Sequence, residues 1–129
     1  MFIDCMAEYL KSMAFQTIDP VEHYKGLLRN KHSSDLLHFI DFGTARTLSA
    51  LPEYANIMLN HPYFNIRGTY ASITTNIEHQ HILSIDKDWR VRAALATNRN
   101  LSEEIIKKLG NDQKEQVVLE VRARDSKIQ

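Results

Sequence analysis

Six histidines, one cysteine and 16 side chains of each charge are the raw material for chemistry in this chain of 129 residues. Spacing limits what they can do. His79 and His81 lie two residues apart, which on a helix turns them to different faces, whereas a helical metal pair needs a spacing of three or four. His61 stands in the turn-like Asn60-His61-Pro62. Cys5 is alone, so within one chain a disulfide, a Cys-rich zinc site and an iron–sulfur cluster are excluded. No Ser–His–Asp, Cys–His or paired-carboxylate spacing identifies a catalytic centre, and no Gly-rich loop follows a strand to cradle phosphate. These residues are therefore read as those of a non-enzymatic protein with no catalytic site, no metal and no cofactor. Binding is the chemistry left. Trp, Tyr and Arg dominate interface energies, which makes Trp89, Arg90, Arg92, Arg99 and Arg67 candidate partner-binding residues, with an aromatic cluster of Tyr63, Phe64 and Tyr70.

One set of strings invites a sharper reading. HYKGLLRN (His23 to Asn30), FIDFGTAR and Pro52-Glu53-Tyr54 resemble, in order, the catalytic loop, the magnesium-binding triplet and the end of the activation segment of a protein kinase. The kinase loop needs an Asp as base two residues after its His, and Lys25 stands there. Only 22 residues precede His23 in this sequence, too few for a glycine-rich loop and a phosphate-binding Lys. A helix ending at Gly43 explains the triplet more simply.

Composition fits a folded domain. Hydrophobic residues at 43% and charged residues at 25%, with few Gly and Pro, are ordinary for a soluble globular chain. At this length one domain buries roughly two-thirds of its unfolded surface. The net charge is +0, so no bulk field draws the chain to nucleic acid or an anionic membrane. The first ten residues, MFIDCMAEYL, carry Asp4 and Glu8 where a signal peptide needs a basic start and an unbroken apolar stretch. No segment approaches the ~18 apolar residues of a membrane span. A cytoplasmic location is expected.

The elements that must position any site read as helices throughout. Phe2, Met6, Tyr9, Leu10 and Met13 form one apolar stripe. Asp19-Pro20-Val21-Glu22 is a helix start, with Val21, Tyr24, Leu27 and Leu28 facing inward. Ser33, Ser34 and Asp35 offer caps for a short helix through LLHFIDF, with Gly43 taking the left-handed conformation at its end. From about Leu51 the chain repeats. Leu83, Asp86, Val91 and Leu95 fall on Leu109, Asp112, Val117 and Val121 at an offset of 26, and Ile66, Arg67, Tyr70 and Ala71 fall on Val91, Arg92, Leu95 and Ala96 at 25. Leu51-Pro52-Glu53 matches Leu101-Ser102-Glu103 two periods later, with Asn76-Ile77-Glu78 between them.

In the clearest unit, Asp86 to Leu109, either Asp86 or Asp88 caps a helix carrying Val91, Ala94, Leu95 and Asn98 on one face. The small Ala93, Ala94 and Ala96 admit a close neighbour. Asn98 and Asn100 turn the chain, since Asn tolerates the left-handed conformation. Ser102 caps a second helix, Leu101 and Ile106 form a hydrophobic staple, and Glu103, Glu104, Lys107 and Lys108 complement the helix dipole.

An Asp-containing turn, Val-Arg, a run of small residues, Asn-x-Asn and then Leu-Ser-Glu-Glu resemble the leucine-rich repeat variant family, a HEAT- and armadillo-like group. Its units of about 24 residues are shorter than HEAT units of ~40. The resemblance covers roughly residues 51 to 124 and implies an all-α fold: a short α-solenoid (α-α superhelix) of about three 24–26-residue two-helix repeats with an N-terminal helical cap. The expected organisation is a single domain over 1–129, with divergent N-terminal helices over 1–47, repeats over 48–124 and a polar tail over 125–129. An irregular helical bundle would bury the same residues.

The resemblance implies binding of a protein or peptide, as an adaptor, inhibitor or immunity-type protein. The alternative is nucleic-acid binding by the Arg and Lys of residues 87–124, and no membrane partner is expected. Burial between units is the competing role for Trp89. An inter-unit salt bridge to Asp86 or Asp88 is the competing role for Arg92. The apolar run Val117 to Val121, if its face lies open, is a homodimer surface.

Overall fold

In the computed structural model, residues 20–29 and 42–128 are described, with side chains over 21–29 and 42–124. The apolar stripe at residues 2–13, the cap at Asp19 and, apart from Phe42, the helix expected through LLHFIDF lie outside them. Among the described residues there are eight helices and no strand, so the protein is all-α. They are α1 (Pro20–Arg29), α2 (Phe42–Ser49), α3 (Pro52–Leu59), α4 (Phe64–Ile73), α5 (Ile77–Leu83), α6 (Trp89–Ala96), α7 (Glu103–Gly110) and α8 (Glu115–Ile128). No described helix is long and apolar enough to cross a membrane.

Local chemistry sets many of the boundaries. α3 starts with Pro52 at its first position, where a missing N–H costs nothing. Asn76, Asp88 and Ser102 each accept a hydrogen bond from a free N–H at the start of α5, α6 and α7. Of the two aspartates offered as caps, Asp88 is the one that caps α6. Asp86 instead accepts from the Asp88 N–H at 2.9 Å and shapes the turn leading in. Leu101 and Ile106 both pack against the core, as a staple requires.

The side chains aligned by the sequence point the same way. Ile66, Val91 and Val117 are fully buried, as are Leu83 and Leu109, and Tyr70, Leu95 and Val121 are buried beside them. Burying a side chain of this kind stabilises the fold by ~1.5–3 kcal/mol. The closest packing is between α4 and α6, then between α6 and α8, while α2 lies on the other flank of α4. α3 packs on α2 and α4, α5 on α4 and α6, and α7 on α6 and α8. Gly68 of α4 faces α6 so closely that a Cβ there would meet the Ala94 Cβ at 3.6 Å.

Four expectations change. Gly43 is the second residue of α2 rather than the end of a preceding helix, and no described residue, glycine included, has a positive φ. Asn98 turns the chain without the left-handed conformation: its Oδ1 accepts from the Asn100 N–H at 2.8 Å. The apolar run at the start of α8 divides by helical period, so Val117 and Val121 enter the core while Leu119, at 49% exposure, faces out. Residues 125–128, read as a tail, continue α8.

Candidate binding surface

Polar side chains tie successive helices together in two series. In the first, Arg67 donates from Nε and Nη2 to the Asp86 carboxylate, at 2.9 and 3.2 Å, and from Nη1 to the His61 carbonyl at 2.8 Å. Arg92 does the same one step later, with Asp112 at 2.7 and 3.1 Å and the Asp86 carbonyl at 2.6 Å. Each arginine therefore binds the turn before its own helix and the acid of the turn that follows. His61 holds the place of Asp86 in the earliest turn: its Nδ1 accepts from the Tyr63 N–H at 3.1 Å, as Asp112 Oδ1 accepts from the Lys114 N–H at 2.8 Å. The two-pronged bond to Asp112 raises the pKa of Arg92. Burial of Asp112 favours its neutral form, but the Arg92 hydrogen bonds, the Lys114 N–H and the Arg92 charge together hold its pKa below the usual carboxylate range.

The second series caps carbonyls at the other end of the same helices. Asn98, 1% exposed, donates from Nδ2 to the Ala71 and Thr74 carbonyls at 2.8 and 2.7 Å. Arg124, 26 residues on, donates from Nη1 to the Ala96 and Asn98 carbonyls at 2.8 and 2.6 Å. Gln80 adds a bridge from Nε2 to the Thr74 and Asn100 carbonyls, both at 2.9 Å.

These networks account for several residues singled out by type. Arg67 and Arg92 are internal struts, and the carboxylate that Arg92 grips is Asp112 rather than Asp86 or Asp88. Tyr70, at 1% exposure, is core; its hydroxyl lies 2.6 Å from His79 Nδ1, and burial pushes its pKa up against an opposing hydrogen bond from Thr74. Tyr63 is half-buried with its ring 5.1 Å from the His61 ring. Trp89 is half-buried at the start of α6, with the Lys114 ammonium 5.1 Å from its ring centre. Arg99 is exposed in the turn after α6. Among the described residues no group of three His, Cys, Asp or Glu is placed to hold a metal ion.

Phe64 and Arg90 do come together. The Arg90 guanidinium lies 3.6 Å from the Phe64 ring centre, held edge-on by Asp88, which accepts from Nε and Nη2 at 3.0 and 2.9 Å. This bond lowers the Asp88 pKa and raises that of Arg90. The pair lines a trough of about 350 Å³ to which α2, α4 and α6 all contribute residues. Phe42, Asn65, Gly68, Thr69, Ser72, Ala94 and Thr97 complete its lining. Phe42 and Phe64 are 41% and 38% exposed.

Residue type alone missed Phe42, Gly68 and Ala94 as surface formers. A signal was present: Phe42, Phe64, Trp89 and Glu115 are the first residues of α2, α4, α6 and α8. The first step is 22 residues rather than 25 or 26, which hides Phe42 from an alignment at constant offset. Compared with known proteins, the chain matches no family model, no curated protein and no solved structure.

Proposed function

We propose that the chain is a short α-solenoid that binds a protein or peptide, without catalysis, in the trough over α4. About three two-helix units of 24–26 residues follow more divergent helices in this reading, in keeping with the resemblance to leucine-rich repeat variants. The recurrence of the arginine–aspartate and carbonyl-capping bonds at steps of 25 and 26 residues supports the repeat. One observation carries the binding role: two partly exposed phenylalanines, Phe42 and Phe64, line one trough together with Gly68 and Ala94, on elements whose other large apolar side chains are mostly buried. Such a surface gains by excluding water with a partner.

The nucleic-acid alternative has fewer cations to work with. Arg92 and Arg124 are committed to internal acceptors, Arg90 to Asp88 and Lys114 to the Trp89 ring. Photo-crosslinking tests the preferred reading. A benzophenone amino acid at Thr69, in the trough, is expected to give a discrete protein adduct in extract from the native cell, lost in a Phe42→Ser/Phe64→Ser background of unchanged melting temperature. The same probe at Glu104 on α7 serves as control. Equal adducts from both positions, or none from Thr69, would remove the trough as the binding surface.

A further inference from the structure

The turn before α4 is fastened differently from those that follow. Asp86 Oδ1 accepts from the Asp88 N–H at 2.9 Å, Asn98 Oδ1 from the Asn100 N–H at 2.8 Å and Asp112 Oδ1 from the Lys114 N–H at 2.8 Å, each two residues onward. Before α4 the same bond, from the Tyr63 N–H at 3.1 Å, is accepted by His61 Nδ1. Carboxylate and amide oxygens go on accepting at mildly acid pH, whereas an ordinary imidazole takes up a proton at pH ~6.5. Protonated, Nδ1 is a donor, and the backbone N–H opposite it can only donate as well.

The surroundings oppose that proton. His61 is 1% exposed, so a charged ring loses its hydration. Its turn leads into the positive end of the α4 dipole. From α4 the Arg67 guanidinium reaches in, with Nη1 on the His61 and Pro62 carbonyls at 2.8 and 3.1 Å. The acids of the α5–α6 turn, joined to this one through Arg67, are engaged: Asp86 by Arg67 and Asp88 by Arg90. Arg92 of α6 is held by Asp112. α2 has Arg46 as its one charged residue, and on α3 the one carboxylate is Glu53, exposed near the far end of that helix. On α1, Glu22 holds Lys25, and Arg29 donates to the Tyr54 hydroxyl of α3. On α5, Glu78 is exposed and His79 Nδ1 meets the Tyr70 hydroxyl, which can turn from donor to acceptor and so accommodates a protonated ring. α4 also has little to replace the His61 bond. Tyr63 caps it without a side-chain bond and its first turn holds no acid, whereas Asp88 caps α6 and Glu115 begins α8.

We infer that His61 is a proton-operated latch on α4: neutral, it holds the first turn closed, and protonated, it lets that turn open and frees Phe64 from Arg90. This holds whatever the trough binds. An opened turn takes up the proton that the closed one refuses, so opening should become easier as pH falls below ~6.5, by about tenfold at pH 5.5 relative to pH 7.5. That window lies above the ~4 of ordinary carboxylates, which separates the latch from acid loss at Asp88 and Asp112.

Amide exchange of the full chain at the two pH values tests this, with rates expressed as protection factors so that the intrinsic pH dependence divides out. The amides of Tyr63, Ile66 and Arg67, which bond within this turn, should lose about tenfold in protection. Those of Val91 and Arg92, bonded to Asp88 at the matching start of α6, should change less than about twofold. His61→Asn keeps an acceptor, as Asn98 does, but takes no proton, and should abolish the loss. His61→Asp serves in its place should that variant fail to fold. Equal loss at α4 and α6 overturns the latch, since it marks opening of the whole array. No loss at α4 overturns it too, and loss that persists in the variants hands the effect to another histidine such as His79.

Discussion

Arg92 and Asp112 show how a charged pair becomes part of a scaffold. Their side chains are 17% and 9% exposed, so each loses much of its hydration and needs the other. Arg92→Ala is expected to cost about 3 kcal/mol in urea denaturation, the lower end of the penalty for stripping one partner from a buried pair. The acid dependence follows from sign. The folded pKa values of Asp88 and Asp112 lie below the ordinary carboxylate range, so their stabilisation is complete above ~4, the unfolded value. It is lost as pH falls through the folded values. Melting temperature should therefore drop on acidification below about pH 4, and Asp112→Asn, which keeps an acceptor for Lys114 N–H but cannot titrate, should flatten that drop. Asn98 is a neutral counterpart. Asn98→Ala strips the hydrogen-bond donor from the Ala71 and Thr74 carbonyls and should cost about 2 kcal/mol, since an unmet buried acceptor keeps its desolvation penalty. An unchanged urea midpoint would show that water replaces the amide.

At the scale of elements, α4 is the helix on which packing and the trough meet. Its buried face presents Ile66, Arg67, Tyr70 and Ala71, and its outward face presents Asn65, Thr69 and Ser72. Gly68 sits between the two, and the nearest atom to an added Cβ is at ordinary van der Waals distance. Gly68→Ala should therefore stabilise the protein by ~0.5–1 kcal/mol, the usual gain from replacing a helical glycine. The same methyl would narrow the trough and weaken any ligand seated there. A calorimetric scan tests the first effect, and a lowered melting temperature would mean that α4 and α6 cannot share the space. The caps at Asn76, Asp88 and Ser102 were legible as residue types that compete for backbone N–H groups. The start of α4 was less so, because Tyr63 caps it without a side-chain bond and His61 does an aspartate's work.

Over the whole molecule, a net charge of +0 conceals segregation. The helices that line the trough, α2, α4 and α6, carry no Asp or Glu, while the other described helices, α1, α3, α5, α7 and α8, each carry at least one. Stability should be uneven too. α4 and α6 each have packed neighbours on both flanks, whereas α7 contacts chiefly α6 and α8. Amide hydrogen exchange should be slowest in α4 and α6 and faster in α7, because local opening is easiest where few contacts must break. Uniform protection across these helices would mean that the array opens only as one unit.

By itself the sequence determined the helical class, the inward residues from Ile66 to Val121 and the register at which units match, because apolar periodicity and cap chemistry act within a few residues of the chain. It also put Arg67 and Arg92 at matching positions 25 residues apart. Only the tertiary structure decided that these arginines grip acids 19 and 20 residues onward, and that Phe42, Phe64 and Arg90 surround one trough. The physical reason is reach: these contacts join side chains on different helices, and which pairs meet depends on how the helices pack across Gly68 and Ala94.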